Sequence, residues 1–442
     1  MWAELAAIGK DPSTGGYHRG GWTPTERACT EWFTTQCTAR DLTLESDGLG
    51  NLVAWWEPSA DLGRSPESGS HSADLGRSPE SGSPSADLGG GAGLHSPSAF
   101  PSSDRGAREA RARSGVVTGS HLDSVIDGGA FDGPLGVVSA LAAVDRLRAE
   151  GFVPSVPIGV GAFVEEEGSR FGMPCLGSRV ATGVLPASKA LGFKDRSGVP
   201  LAEALSELGI DPAGVGPSPL LERMGTFVEL HVEQGRALTA PVGVASSIWP
   251  HGRFRFTFTG EANHAGTTLM EDRHDPMLTY AMTALAANKQ ARLAGARATF
   301  GRLSVEPNGT NAVPSQVTAW LDARAATDEV LQSLLSAITR QAVERAERDG
   351  TSVEVTPESV SPIVEFPSGL RDRLAAVLDD APVLPTGAGH DAGVFSDAGI
   401  PTAMLFVRNP TGVSHSPAEH AEMDDCLAGV DALAAVLKDL AK

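Results

Sequence analysis

The histidines and carboxylates that could do chemistry in this chain lie just after apolar, strand-like segments or in glycine-rich turns. The carboxyl ends of parallel strands meet at one edge of a sheet, and ligands bind there. The set comprises His121, Asp123, Asp132, Glu165, Glu166, Glu167, His231, His390, Asp391 and His415. Mixed imidazole and carboxylate ligands suit zinc-like divalent ions. The sequence therefore predicts a site for two such ions that share a bridging carboxylate.

Spacing within this set favours particular roles. An extended chain points His121 and Asp123 to the same side, where a carboxylate can orient the imidazole. Asp132 lies among glycines, which let the backbone approach closely. In the run EEEG at 165–168, two neighbouring carboxylates could serve as metal ligand and proton carrier. Each pattern also occurs in polar loops, charged turns or, for His231, in apolar cores, but together they favour a hydrolytic metal site.

Alternating strands and helices must position these residues. The strand SGVVTG, an amphipathic helix over 134–151 and a buried strand over 156–164 predict a βαβ unit. A strand over 225–232, a strand over 402–407 and a C-terminal helix over 427–441 continue the pattern. We therefore expect an α/β domain with a mostly parallel sheet.

The pattern of apolar residues is different in the middle of the chain. Over about 250–357 the apolar pattern predicts the order βαββαβ, which matches a ferredoxin-like open sandwich with one uncovered sheet face. We expect this part, residues 241–358, to be inserted into a catalytic domain formed by residues 1–240 and 359–442. Its two long helices or an edge strand would offer surfaces for dimerisation.

The segment 58–113 is rich in serine, proline, glycine and charge. SADLGRSPESGS at 59–70 recurs at 72–83, which is a tandem duplication. Too few apolar residues are present to offset the entropy of ordering, so we expect a disordered surface insertion.

Length and composition limit the class of protein. A chain of 442 residues with 41% hydrophobic content can bury a large core, and its length favours two domains. With 35 basic and 55 acidic residues the net charge is −20, which disfavours nucleic acid and anionic membranes as partners. We find neither an export signal nor the roughly 18 apolar residues of a membrane span. Four cysteines without a CxxC pair fit a reducing compartment, so we expect a cytoplasmic protein.

Seven motifs occur together in an order and spacing that is highly specific as a combination. They are GSHLDS, GGAFDGPLGV, EEGSRFG, ELHVEQG, GEANHAGTT, VEPNGTNAVPS and GAGHDAG. With these motifs the chain resembles the M20 family of metallohydrolases, and within it the branch of allantoate amidohydrolases, N-carbamoyl-L-amino acid hydrolases and β-ureidopropionases. The resemblance covers nearly the whole chain outside 58–113. It implies an amidohydrolase that cleaves the ureido C–N bond of allantoate, giving ureidoglycine, ammonia and carbon dioxide.

The resemblance also implies a ligand set for two divalent ions. Asp132 would bridge the ions, with His121 and His231 completing one metal site and Glu167 and His415 the other. Zinc or manganese would occupy the sites, and cobalt or nickel would also accept these ligands.

Other positions that match the family carry catalytic and substrate-binding roles. Glu166 would be the general base for the attacking water, and Asp123 would orient a metal-binding histidine. His264 would reach the site of the partner subunit in a homodimer and stabilise the oxyanion. Asn311 and Arg324 would hold the substrate carboxylate, a task suited to a planar guanidinium. The implied substrate-binding residues are Gln234, Asn311, Arg324 and His390.

The motifs identify the bond and the carboxylate of the substrate but not its remaining side chain. N-carbamoyl- or N-formyl-L-amino acids therefore stay open as alternative substrates, and so does β-ureidopropionate. His231, where peptidase relatives tend to carry a carboxylate, favours a carbamoyl-type substrate. A non-catalytic metal-binding dimer is disfavoured because a scaffold has no need of the base Glu166. The roles of Arg19 and His420 stay open, because the chain departs from the family pattern beside both.

Overall fold

The computed structural model describes residues 1–58 and 115–442. The segment expected to be a disordered insertion, 58–113, lies outside the described residues except for its first residue. The strands are β1 Thr43–Ser46, β2 Leu52–Trp56, β3 Gly115–His121, β4 Ile158–Phe163, β5 Met224–Val232, β6 Val242–Ile248, β7 His251–Thr259, β8 Asn263–His264, β9 Arg297–Glu306, β10 Ala312–Val313, β11 Gln316–Arg324, β12 Ser352–Ser361, β13 Val364–Glu365, β14 Val383–Thr386 and β15 Thr402–Val407.

The described residues also form eleven α-helices. They are α1 Trp2–Leu5, α2 Pro24–Thr38, α3 Pro134–Ala149, α4 Leu176–Ala181, α5 Ala187–Ala190, α6 Leu201–Glu207, α7 Pro276–Leu293, α8 Asp328–Asp349, α9 Ser368–Val377, α10 Asp391–Asp397 and α11 Met423–Leu440. Short 3₁₀ helices lie at Pro212–Gly214, Pro219–Arg223 and Met270–Asp272. The elements expected from the sequence agree with these to within a few residues at their ends.

The large sheet has the strand order β1-β2-β4-β3-β5-β15-β6-β13, and β14 also pairs with β6. Its four central strands, β4, β3, β5 and β15, are parallel to one another, whereas β1 and β2 at one edge and β6 and β13 at the other pair antiparallel. This is the mixed α/β architecture with a mostly parallel central sheet that the sequence predicts. Aligned registers, with His121 opposite Phe163 and Val232 opposite Val407, bring the carboxyl ends of the central strands to one edge.

The central strands are buried along their length because helices cover both faces of the sheet. Every residue of β3, β4 and β15 is buried, which explains why these strands read as continuous apolar runs instead of alternating ones. Helices α3 and α11 pack against each other and cover one face. Gly136 allows α3 to lie close against β5, because a Cβ at this position would collide with the carbonyl oxygen of Leu230 in that strand.

The second sheet has the order β12-β7-β11-β9 and is antiparallel throughout. Burial alternates along β7, and Phe254, Phe256 and Phe258 face a core formed with α7 and α8. This is the βαββαβ order expected over 250–357. Strand β6, which lies within the range 241–358 expected for the inserted part, pairs with β15 in the large sheet, and the second sheet begins at His251.

Among the helices of residues 1–58 and 115–442, none combines the length and the apolar character that crossing a membrane requires.

Gly136→Ala should destabilise the fold even though alanine is the better helix former. In an exposed helix interior, replacing glycine by alanine raises the stability of the folded state by about 1 kcal/mol. Here the added Cβ must displace the backbone of β5, and overpacking of this kind lowers the stability by about 1–3 kcal/mol. Thermal unfolding measures the difference. Gly369→Ala in α9 is the matched control, because nothing lies within 4 Å of its Cβ position. A Gly136→Ala variant as stable as the control would contradict the packing described for α3.

Candidate metal centre

His121 and His231 lie at the carboxyl ends of neighbouring parallel strands, and both side chains are fully buried. Their rings are 5.9 Å apart. Asp132 faces both, with its Oδ1 3.6 Å from His121 Nε2 and 3.2 Å from His231 Nε2. Gly133 must lack a side chain, because its φ is +83° and a Cβ would come within 2.5 Å of the His121 ring. The glycine-rich turn therefore places one carboxylate oxygen against two imidazoles.

The other oxygen of Asp132 faces a second group of ligands. His415 Nε2 lies 3.4 Å from Asp132 Oδ2 and 3.5 Å from Glu167 Oε2. The Gln234 amide nitrogen donates to the same Asp132 oxygen at 2.7 Å and lies 3.3 Å from His415 Nε2. Within each group the ligand atoms are no more than 4.8 Å apart. Asp132 thus belongs to both groups, as a bridging ligand would.

The imidazole nitrogens and carboxylate oxygens of these two groups are suitable ligands for divalent cations. His121 Nε2 and Glu167 Oε1 are buried and have no hydrogen-bond partner in the described part of the chain, a costly condition that a metal ion would relieve. Burial raises the pKa of Glu167 to about 8 and that of Glu166 well above its usual range. Although burial opposes it, the imidazoles of His121 and His231 beside the carboxylate hold the pKa of Asp132 well below its usual range.

A third group of possible ligands, Glu229, His231 and His390, lies behind the first. Its carboxylate already accepts hydrogen bonds on both oxygens, from Ser120 Oγ at 2.7 Å and from the Ala392 N–H at 3.0 Å. The His390 ring lies 4.5 Å from that of His231, and burial lowers its pKa well below the usual value. Both carboxylate oxygens of Glu229 therefore already have hydrogen-bond partners within the protein. His390 presents a neutral imidazole to the cavity.

Asp123 holds the loop that carries two of the acids. Its Oδ1 and Oδ2 accept hydrogen bonds from the N–H groups of Glu166 and Glu167, each at 3.1 Å. His121 Nδ1 lies 3.1 Å from the carbonyl oxygen of Asp123 and 3.4 Å from its Oδ1. One residue therefore faces the Nδ1 side of the His121 ring and also fixes the backbone of the glutamates.

The three consecutive glutamates have different surroundings. Glu165 has a φ of +53°, and its carboxylate accepts the N–H groups of Gly21, Arg170 and Phe171. Glu166 instead faces the cavity, with its Oε2 3.6 Å from His121 Nε2 and its Oε1 3.5 Å from a thiol, Cys175 Sγ. Glu165 therefore organises the turn, while Glu166 is placed beside the ligand groups.

Arg324 reaches the same cavity from the second sheet. Its Nε and Nη2 donate to the two oxygens of Asp322 at 2.7 and 3.0 Å, and its Nη1 donates to the Gly387 carbonyl at 2.8 Å. Burial opposes protonation of the guanidinium, but Asp322 raises the pKa of Arg324. The cavity is lined from both sheets, by Asp132, Glu166, Glu167, Pro174, Gln234, His251, Arg253, Asp322, Arg324, Ser359, Ala388, Gly389, His390 and His415.

Two of the expected site residues do not line this cavity. His264 and Asn311 are exposed and lie together on a two-stranded ribbon, where the Ala265 N–H donates to the Asn311 carbonyl at 3.0 Å. The other ten expected residues lie in or directly behind the cavity.

Several residues around the cavity were not predicted from the sequence. Glu419 accepts the N–H groups of Phe131 and Asp132 at 2.9 and 3.0 Å, and Ser414 Oγ bridges Glu419 and Asp132. Asp322 could have been found, because two residues before Arg324 on a strand is the same face. No comparable pattern in the sequence points to Glu419 or to His251.

The chain is similar in sequence and in fold to known proteins. Residues 117–439 match the model of Peptidase family M20/M25/M40. An N-carbamoyl-L-amino acid amidohydrolase of Geobacillus stearothermophilus is 39% identical over 331 residues, 72% of this chain and 80% of that protein. An allantoate amidohydrolase of Bacillus subtilis is 35% identical over 340 residues, 74% and 81% respectively. A crystal structure of an amidase of the hydantoinase/carbamoylase family from Burkholderia vietnamiensis aligns with a TM-score of 0.81 at 27% identity, covering 100% of this chain and 95% of that one.

Removal of divalent ions with EDTA should lower the melting temperature. Ligands that bind only the folded state stabilise it by about 4 kcal/mol at a thousandfold excess over Kd, which corresponds to roughly 5 °C or more in a chain of this size. Differential scanning fluorimetry with EDTA, zinc or manganese measures the shift. Asp132→Asn weakens both ligand groups while keeping the side-chain shape, so its melting temperature should respond far less to metal. Equal melting temperatures for metal-free and metal-loaded wild type would contradict the assignment.

Proposed function

Since the chain belongs to Peptidase family M20/M25/M40 and is a hydrolase of carbon–nitrogen bonds other than peptide bonds, we propose that it cleaves a ureido C–N bond of allantoate. The observation that carries this proposal is one cavity in which two ligand groups share Asp132 beside Glu166, with Arg324 facing them from the second sheet. The products would be ureidoglycine, ammonia and carbon dioxide.

The M20 family is metal-dependent, and we assign two divalent ions to this chain, zinc or manganese, with cobalt or nickel also compatible. One ion would be held by His121, His231 and Asp132, and the other by Asp132, Glu167 and His415. When bound, the ions supply Lewis acidity that activates water and polarises the scissile carbonyl.

Glu166 is the proposed general base. Its carboxylate takes a proton from the attacking water and later passes it to the departing nitrogen, which leaves as ammonia. Asp123 supports this role by accepting the main-chain N–H of Glu166, which fixes the position of the carboxylate. The carbamate that remains on the substrate then loses carbon dioxide.

Arg324 is the proposed binding residue for the substrate carboxylate. A guanidinium has five N–H groups, and three of these donate to Asp322 and to the Gly387 carbonyl, so two remain (5 − 3 = 2). These two can bind a carboxylate without breaking the pair with Asp322. Gln234 and His390 line the same cavity and would contact the rest of the substrate.

An N-carbamoyl-L-amino acid is the second candidate substrate. The identity of 39% to an N-carbamoyl-L-amino acid amidohydrolase, against 35% to an allantoate amidohydrolase, favours testing both. N-formyl-L-amino acids and β-ureidopropionate present the same carboxylate and a similar scissile bond. A panel of these acids, each assayed with several metals by ammonia or amine release, distinguishes them.

A homodimer is also part of the proposal, because His264 and Asn311 lie away from the cavity of their own chain. Helix α7 exposes a stripe of large apolar side chains, Leu278, Met282 and Leu285, at a spacing that places them on one face. Their exposed fractions are 45%, 45% and 67%, and such patches are typical of protein interfaces. Pairing through this helix and the edge strand β9 would carry His264 to the partner's site, where it would stabilise the oxyanion.

Glu166→Gln should lower kcat by at least about 10²-fold, because the amide cannot accept the proton of the attacking water. Steady-state assays with allantoate or the best substrate of the panel measure kcat, and elemental analysis should find unchanged metal content. Glu165→Gln is the matched control, since Glu165 accepts three main-chain N–H groups outside the cavity. Glu165→Gln should lower the melting temperature and have only a small effect on kcat. The opposite pattern would assign the base to Glu165.

His264→Ala and Glu166→Gln should complement each other between subunits. Each homodimer would be nearly inactive, but a heterodimer has one site that combines an intact Glu166 with an intact His264 from the other subunit. Random mixing gives about half heterodimers, so activity should recover to roughly one quarter of wild type for a two-fold dimer with independent sites. Co-expression with two different tags isolates the heterodimer for assay. An inactive, fully metallated heterodimer would place His264 outside the partner's site.

A further inference from the structure

His251 lies between two adjoining cavities at the junction of the two sheets. The first is the cavity that holds the ligand groups and Arg324. The second is lined largely by apolar side chains, among them Ile248, Val364 and Val394. The two cavities share Pro174, His251, Gly389 and His390. A substrate held by its carboxylate in the first cavity would therefore direct its remaining substituent past His251.

The orientation of the His251 ring leaves one nitrogen facing this space. Nδ1 lies 3.0 Å from the Trp249 carbonyl oxygen, an acceptor, so Nδ1 carries the proton. In the neutral ring Nε2 is then a hydrogen-bond acceptor, and no hydrogen bond to it is found within residues 1–58 and 115–442. A Cβ on Gly389 would lie 3.2 Å from Nε2, so the absence of a side chain there keeps the space before Nε2 open.

The surroundings of His251 keep its imidazole neutral. Burial lowers the pKa of His251 to about 4, and the positive charges of Arg324 and Arg179 act in the same direction, against the Trp249 carbonyl and the Asp322 carboxylate. At neutral pH Nε2 can therefore accept a hydrogen bond but cannot donate one. The group that it contacts must be a donor.

The strand register places this acceptor next to the proposed carboxylate-binding residue. His251 begins β7 and is the cross-strand partner of Arg324, the last residue of β11. Directly opposed residues on antiparallel strands have neighbouring side chains. The group nearest to a carboxylate bound at Arg324 is the α-carbon, so a second substituent on that carbon is the part of the substrate closest to His251.

We propose that His251 determines specificity by accepting a hydrogen bond from an N–H group on the α-carbon substituent of the substrate. The substrate class is then an α-ureido acid with a second ureido or amino group on the same carbon, as in allantoate. An N-carbamoyl amino acid with an alkyl or no side chain offers no donor to Nε2, so its transition state lacks this hydrogen bond. This inference rests on the proposed amidohydrolase activity.

The test compares kcat/KM for allantoate and for N-carbamoylglycine in the metal-loaded enzyme and its variants. His251→Leu removes the acceptor and should lower kcat/KM for allantoate about 10- to 100-fold, with less than about a threefold change for N-carbamoylglycine. His251→Gln retains an acceptor oxygen and should recover most of the loss. His274→Leu, the same change at a half-exposed histidine of the second sheet's domain, is the matched control and should leave the ratio unchanged.

The outcomes separate this inference from the proposed activity. If His251→Leu lowers kcat/KM equally for allantoate and N-carbamoylglycine, or lowers it for neither, the proposed role of His251 is overturned. A wild-type enzyme that hydrolyses N-carbamoylglycine but not allantoate also overturns it while leaving the amidohydrolase standing. A metallated enzyme that hydrolyses no member of the ureido, carbamoyl and formyl panel overturns the proposed activity, and the inference with it.

Discussion

The burial of several carboxylates around Asp132 is the constraint on which the rest of the structure depends. Asp132, Glu166 and Glu167 are each at most 9% exposed, and two fully buried histidines lie against them. Buried charges are tolerated only when paired or bound to cations. The aligned ends of four parallel strands and the tight turn at Gly133 bring these groups together at one edge of the sheet, where divalent cations bound as proposed would offset their charge.

A second set of acids holds the loops that carry the first. Asp123 accepts two N–H groups of the glutamate loop, Glu165 accepts three N–H groups from two loops, and Glu419 accepts two from the Asp132 turn. Main-chain N–H groups stabilise a buried carboxylate without adding a cation. The loops that carry the candidate ligands are therefore held by hydrogen bonds that other acids accept from the main chain, and their geometry does not depend on metal alone.

The elements, and the presence of histidines and carboxylates at one edge of the sheet, could be predicted from local patterns, whereas the division into two ligand groups came from the resemblance to the M20 family. Strand-like segments that end at His121 or run into Glu165 and Glu166 place polar side chains at strand ends wherever a parallel sheet forms. Glu419 could not be found this way, since its partner Asp132 is 287 residues away and no periodicity links them. The pairing of strand β6 with β15 could not be predicted for a related reason, because a strand-like pattern does not identify the partner of the strand.

The two sheets are coupled at the point where the substrate carboxylate is proposed to bind. Arg324 is fixed on one side by Asp322 of its own strand and on the other by the Gly387 carbonyl, which belongs to the part of the chain that carries His390. A shift of the second sheet would therefore break a hydrogen bond of the guanidinium as it moved the carboxylate site away from Glu166. If the carboxylate binds at Arg324 as proposed, the distance between Arg324 and the ligand groups sets the length of acid that can bind, and the contacts that join the two sheets would also select the substrate. Substrate selection would then be a property of the junction between the sheets, which neither sheet possesses by itself.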